Sequence, residues 1–204
     1  MADSIRDQQA LREQFGPPSP TAQAANRTYL DAHHQRFIRH SPFLCIASTS
    51  RDGQPNVSPR GDAPGFVHVA DERTLVIPDR LGNNKLETFE NVVDNPHVAL
   101  IFFVPGVRET VRVQGNARIA RDPALLELGR QGDRRPAVAL VVEVTRAYLH
   151  CGKSLVRSRL WDPSRHVAPD VIPTFGQMLK DQVDPPQTAE EIQADIERMY
   201  REEL

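Results

Sequence analysis

Three groups of polar side chains in this chain have types and spacings that suit an oxyanion. In "PDRLGNNKLETF" (78–89), Arg80, Asn83, Asn84 and Lys85 crowd in front of a helical pattern. Asn83 or Asn84 would cap that helix, with Lys85 and Glu87 on its first turn. A helix N-terminus offers unpaired N–H groups and partial positive charge, so with two cations beside it a phosphate would be well held. The plainer alternative is a capped helix with solvated cations. In "VSPRGD" (57–62), Ser58 and Arg60 stand two residues apart, which puts both on one side of a strand. A strand arginine turned into a barrel wants an anionic or planar partner. Turned outward, it is an edge arginine in water, as Pro59 permits. In "ETVRVQG" (109–115), Thr110, Arg112 and Gln114 share one strand face, and Val111 and Val113 the other. That polar stripe is either a solvated face or a third part of the same site.

The elements that would position these groups are mostly strands. "FLCIASTS" and "NVSPRGD" flank an Asp52-Gly53 turn and read as a hairpin. "GFVHVAD" and "RTLVIPD" read as a second hairpin. Residues 84–94 form a helix with Leu86, Phe89, Val92 and Val93 on one face. The unbroken apolar run "HVALIFFV" (97–104) reads as a buried strand. Residues 109–120 are a long strand, bulged at Gly115. "DPALLELGR" opens a short helix at Asp122-Pro123, and residues 137–150 form another long strand. A helix is expected over 22–40, a short one over 151–160, and a last one after Thr188, where Thr188 and Glu191 match a capping box. Hairpin follows hairpin with no βαβ rhythm, which points to a closed or split antiparallel barrel of six or seven strands.

Composition narrows the class. Apolar residues make up 39% of the 204 and charged residues 25%, enough for a core and too apolar for a disordered chain. A net charge of -2 gives no general attraction to nucleic acid or to an anionic membrane. No apolar run approaches the length of a membrane span, and the charged N-terminus has no signal core. The expectation is a cytoplasmic protein with two unpaired thiols, Cys45 and Cys151, and Cys45 a small buried hydrophobe. There is no G-x-G-x-x-G after a strand, no Walker loop and no G-x-S-x-G elbow.

The order "SPRGD", hairpin, "PDRLGNNKLETFENVVDNPHVALIFFVPG", "ETVRVQGNARI", "HCGKSLVRSRLWDP" resembles the FMN-binding split-barrel proteins related to pyridoxamine 5'-phosphate oxidase, above all their "probable FMN-dependent enzyme" branch. The resemblance covers about residues 25–165. It implies a mainly β fold with flanking helices, a six-stranded antiparallel split barrel. It also implies a homodimer with two FMN sites between the subunits. On that pattern Arg60, with Ser58 and Gly61, lies against the flavin and its phosphate arm. Arg80, Asn83, Asn84 and Lys85 grip the phosphate, and the backbone of Ile77, Pro78 and Asp79 approaches the ring edge. Thr110, with Arg112, reaches the ring from the other subunit. Lys153, Arg157 and Trp161 line the open side. The implied activity is an FMN-dependent oxidoreductase working with NAD(P)H or a small substrate. The C-terminal arginine–histidine motif of true pyridoxamine phosphate oxidases is absent from "PSRHVAPDV", so vitamin B6 oxidation is not expected. The domain layout expected is an arm over 1–20, the barrel over 21–165, and a proline-rich segment with a helix over 166–204 packed on it.

A different class competes: a non-catalytic flavin- or haem-binding dimer acting as carrier or sensor. His68 and His150 are its candidate axial ligands. No metal site is expected. His33 and His34 are neighbours that point to different helix sides, and His150-Cys151 alone makes a weak pair.

Overall fold

The computed structural model describes residues 4–203, so the first three residues of the expected arm and Leu204 of the last helix lie outside it. The helices are α1 (Gln8–Phe15), α2 (Pro20–Ala24), α3 (Ala32–His40), α4 (Glu87–Asp94), α5 (Pro123–Leu128), α6 (Lys153–Ser158), α7 (Phe175–Val183) and α8 (Ala189–Glu203). The strands are β1 (Phe43–Thr49), β2 (Pro55–Gly61), β3 (His68–Asp71), β4 (Thr74–Pro78), β5 (His97–Phe103), β6 (Thr110–Ala120) and β7 (Ala139–His150). All seven join one antiparallel sheet in the order β2-β1-β5-β6-β7-β4-β3. The class is as expected, a mainly β split barrel with flanking helices, but with seven strands instead of six. The seven are the strands that the sequence outlines, β3 and β4 forming the expected second hairpin at the sheet's end.

The sheet is curled, and one cluster of bonds shows it. Asp62 follows β2, the first strand in the order, and Arg80 follows β4, the sixth. In a flat sheet those strands would stand about 24 Å apart, at about 4.8 Å per strand. Instead Arg80 Nε donates to Asp62 Oδ2 at 2.6 Å. Gln131 Nε2 donates to both oxygens of the same carboxylate, at 2.9 and 2.7 Å. Arg80 Nη1 reaches the Gly129 carbonyl at 2.7 Å. The curl encloses a core built from the inward faces of β1, β4, β5, β6 and β7, closed by Leu30 and by Ile38 of α3.

β6 and β7 form the longest ladder, and their register slips where Gln114 faces Arg146 but Gly115 faces Val144. The unpaired residue is Thr145 on β7, whose hydroxyl donates to the Gln114 carbonyl at 3.2 Å. The irregularity expected at Gly115 falls at that level of the ladder, but the extra residue belongs to the partner strand β7 and not to β6. A Cβ on Gly115 would lie 2.2 Å from the Glu143 carbonyl oxygen, so only glycine fits.

Several sequence expectations fail for local reasons. The helix expected over 22–40 is broken: α2 ends at Ala24, Arg27 bridges to Ala147 of β7, and α3 starts afresh at Ala32. Asp31 restarts it by capping, with Oδ1 accepting from the N–H groups of His33 and His34. The proline-rich tract hides α7, which Thr174 caps. β5 is not buried on both faces: Val98, Leu100 and Phe102 are buried, while Ala99 and Ile101 are only half covered. Cys45 is likewise half covered, on the outer face of β1 beside Pro59 and Ile101. On α4, Val92 is buried but Leu86 and Val93 are exposed.

The chain divides into two compact units. The first runs to Arg80 and resumes over Asn84–Arg157; it holds the sheet. The second takes Leu81–Asn83 and Ser158 onward. In the second, α7 and α8 pack as a helical hairpin, and Thr188 and Glu191 exchange the capping-box hydrogen bonds at 2.8 and 3.2 Å. No helix among the described residues is long and apolar enough to cross a membrane.

Two outcomes are expected. Replacing Asp62 with alanine leaves Arg80 and Gln131 without their shared acceptor, and should cost about 2 kcal/mol in chemical denaturation. His34 is buried, and its Nδ1 accepts from the Asp31 N–H at 3.3 Å. Burial holds its pKa below the ordinary value, against the pull of the Asp31 carboxylate 2.8 Å away. The ring is therefore neutral when folded and takes up a proton on unfolding below the ordinary histidine pKa of about 6.5. Stability from this group is complete above that pH and is lost as pH falls through the depressed value. Melting temperature should drop on going from neutral toward acid, with a shallower slope in His34→Gln, which keeps the capping box and removes the titration.

Candidate functional site

Arg60 is a half-buried cation of the barrel. Its strand β2 is the edge strand, and pairing of Leu44 with Arg60 and Ile46 with Ser58 turns both polar side chains to the face that carries the core. Asn56, Ser58 and Arg60 are all half-buried, as period 2 requires. Arg60 Nη1 donates to Ser58 Oγ and to the Pro59 carbonyl at 2.8 Å. Nε and Nη2 make no hydrogen bond among the described residues, although burial pushes the guanidinium pKa down. The nearby Asp79 carboxylate opposes that push. Asp79 is half-buried too, and burial raises its pKa, against the Arg80 N–H and the charges of Arg60 and Arg80. Burial also lowers the pKa of His68, to which the Arg80 charge adds, while a hydrogen bond with the Leu128 backbone opposes. Two guanidiniums, two carboxylates and one neutral imidazole thus gather where the barrel closes.

The backbone beside this cluster has a free edge. β4 pairs with β7 through Pro78, and the Asp79 N–H continues that ladder to the Val138 carbonyl at 3.0 Å. On its other side β3 pairs only as far as Val76. Ile77, Pro78 and Asp79 therefore present one unpaired backbone edge.

The loop that follows departs from expectation. Neither Asn83 nor Asn84 caps α4. Asn84 and Leu86 both take left-handed backbone at φ 55°, Leu86 holds the cap position, and no side chain caps the helix. Leucine there is a strained choice, of the kind that costs about 1–3 kcal/mol. The first turn carries Glu87 and Glu90, which already complement the helix dipole, and Glu87 accepts from Asn56 Nδ2 at 2.7 Å. Lys85 is exposed and precedes the helix. Asn83, like Trp161, belongs to the second unit.

On the outer sheet face, Thr110, Arg112 and Gln114 do share one side. Thr110 is only 4% exposed and its Oγ1 has no partner; Arg112 Nε is equally buried and equally unpaired. Such orphans are uncommon and point to a missing partner. Thr110 pairs with His150 and Arg112 with Tyr148. Burial and the Arg112 charge hold the His150 pKa down, partly offset by a hydrogen bond with the Cys151 backbone.

Lys153 and Arg157 lie together at the end of β7. They share an open cavity of about 300 Å³ with Arg108, Glu109, Gly152 and Val156. Asp62, Arg108 and Glu109 were not singled out from the sequence. Asp62 could have been, because it ends the quoted "SPRGD" run; Arg108 and Glu109 could have been, because they lead directly into the polar stripe. No group of three metal-ligating side chains occurs among the described residues.

The family model described as "Pyridoxamine 5'-phosphate oxidase" matches residues 30–151. No curated protein matches the chain significantly. Among solved structures, HupZ of Group A Streptococcus is 19% identical, covering 60% of this chain and 97% of its own, with a TM-score of 0.48. A putative pyridoxamine 5'-phosphate oxidase from Lactobacillus delbrueckii is 21% identical over 60% of this chain and 95% of its own, at 0.48. The FAD binding protein from Mycobacterium smegmatis is 19% identical over 60% and 97%, at 0.41. The matched residues 30–151 take in all seven strands and the Arg60, Arg80 and Thr110 positions, and by that match the chain belongs to the pyridoxamine 5'-phosphate oxidase family.

Proposed function

We propose that this chain is an FMN-dependent oxidoreductase that works as a homodimer, with flavin held at the barrel seam. One observation carries the reading: a half-buried Arg60 keeps Nε and Nη2 without protein partners beside the unpaired edge of Ile77 to Asp79. A planar ligand with hydrogen-bonding edges and an anionic arm satisfies both at once. Ser58 and Gly61 flank that arginine. Arg80, Asn84 and Lys85 would take the phosphate end, Arg80 keeping its bonds to Asp62 and Gly129. Bound FMN would supply hydride exchange, two electrons with one proton, to or from a reduced nicotinamide or a small substrate. The chain's own contribution is to orient the ring, to set positive charge beside it and to exclude water.

The unpaired Thr110 Oγ1 and Arg112 Nε fit the same ligand from the partner subunit. The dimer face would be the outer side of β1 and β5. There Cys45, Ala47, Ala99 and Ile101 are half covered and Phe43 is 40% exposed. An apolar stripe of that kind on a central pair of strands favours a partner. A carrier or sensor is the second reading, favoured by His68 and His150, whose lowered pKa values keep them in the neutral form that ligates haem iron.

Purified protein should show a flavin absorbance spectrum, and anaerobic NADH or NADPH should bleach it. A spectrum that stays oxidised moves weight to the carrier; a Soret band identifies the haem reading; no flavin even after added FMN sinks the assignment. Arg60→Met should weaken FMN binding about tenfold or more, the worth of one charge-assisted hydrogen bond. Sedimentation should give a dimer, and Ile101→Asp should make it monomeric with loss of flavin.

A further inference from the structure

The cavity at the end of β7 has a composition that the flavin reading does not need. Arg108, Lys153 and Arg157 face it, with Glu109 as the single carboxylate. None of the three cations forms an ion pair among the described residues. Lys153 and Arg157 are four residues apart on α6, so they project from one side of it. Like charges at that spacing repel, and a third cation opposite makes the arrangement worse. The chain nonetheless enforces it. A Cβ on Gly152 would lie 2.6 Å from both Cβ and the carbonyl oxygen of Arg108. Only glycine lets the start of α6 press against Arg108, and this contact brings the three cations round one space. Gly152 itself is buried, so the floor of the cavity is fixed while its mouth is open.

The cavity also has a defined place on the sheet. Glu109 precedes Thr110, and Gly152 follows His150 by two residues; Thr110 and His150 are paired. Val111 pairs across from Phe102, and Phe43 with both Phe103 and Gly61, so this is the same end of the sheet as Gly61 on β2. The cavity therefore lies at the end of the sheet where Thr110 and His150 pair.

We infer that the Arg108–Lys153–Arg157 cavity is a second anion site, which holds the phosphate or carboxylate group of the molecule that exchanges electrons at the neighbouring ring. That inference rests on the flavin reading for the identity of the ring, though not for the binding of the anion. It assigns Lys153 and Arg157 to substrate in place of cofactor, and the substrate class becomes an oxyanion-bearing one. Three cations with flexible stems suit a charged group of either type, whose two sources are separable by probe.

The test uses the full chain with its flavin content recorded by visible absorbance. Inorganic pyrophosphate and citrate are titrated calorimetrically as the phosphate and carboxylate probes. At least one should bind the wild type, and the tighter of the two names the source. Arg157→Gln and Lys153→Gln should each weaken it about tenfold, as loss of one charge-assisted hydrogen bond would. Flavin content and melting temperature should stay at wild-type values in both, and the surface variant Arg165→Gln should bind normally. Equal affinity in wild type and Arg157→Gln overturns the site, as does failure of both probes to bind the wild type. Loss of flavin in these variants also overturns it, because the cations then serve the cofactor. Arginine-dependent anion binding in a protein that takes up no flavin supports the site and sinks only the flavin reading.

Discussion

The closure of the sheet is fastened by the carboxylate of Asp62. A seven-stranded antiparallel sheet could lie open, with a polar edge at each end. Here Asp62 accepts from Arg80 and twice from Gln131, and both ionic partners are mostly sheltered, at 26% and 13% side-chain exposure. A sheltered pair of this kind is worth little against water when made, yet breaking it leaves a buried charge stranded. It therefore acts as a fastener with a specific mate. Through it the first and sixth strands meet, and the meeting concentrates Arg60, Asp79, Arg80 and His68 at one seam. The polar chemistry of the barrel is a by-product of how the sheet is closed.

The two basic groupings differ in kind. At the seam each guanidinium has an acid within reach, so the local charge is nearly balanced and the unusual property is desolvation. At the end of β7 the cations are exposed and outnumber the acid. A half-buried, balanced cluster suits a resident ligand that stays in place and satisfies fixed donors. An exposed, unbalanced one suits a ligand that comes and goes, because charge attracts it from solution and water readily replaces it.

Local chemistry was legible in the sequence and non-local chemistry was not. The Asp52-Gly53 hairpin, the Asp122-Pro123 helix start and the Thr188–Glu191 capping box each depend on a few adjacent residues, and each was readable; Gly115 marked the level of the bulge but not the strand that carries it. Ser58 and Arg60 on one face followed from period 2 alone. The Asp62–Arg80 closure joins residues eighteen apart across five strand spacings, and no pattern of apolar residues announces it. The failed asparagine cap is instructive in another way. The residues favour capping, but left-handed backbone at Asn84 and Leu86 turns the chain away before a side chain can reach back. Cys45 and β5 were read as buried because their side chains are apolar. Apolarity says that a face wants cover, and here the single chain covers only one of the two faces.

The unpaired Thr145 carries an arithmetic consequence. Before it on β7, the even-numbered residues Leu140, Val142 and Val144 point into the core; after it, Ala147 does, and Tyr148 and His150 turn to the side of Arg112. The strand's parity is inverted by a single inserted residue. Which side chains stand beside Thr110 is thus set by counting as much as by residue type. Had the strand run on without the bulge, regular alternation would have turned Arg146, Tyr148 and His150 toward the core and Ala147 away from it; deleting Thr145 would remove the bulge and leave every later side chain on the face it already occupies.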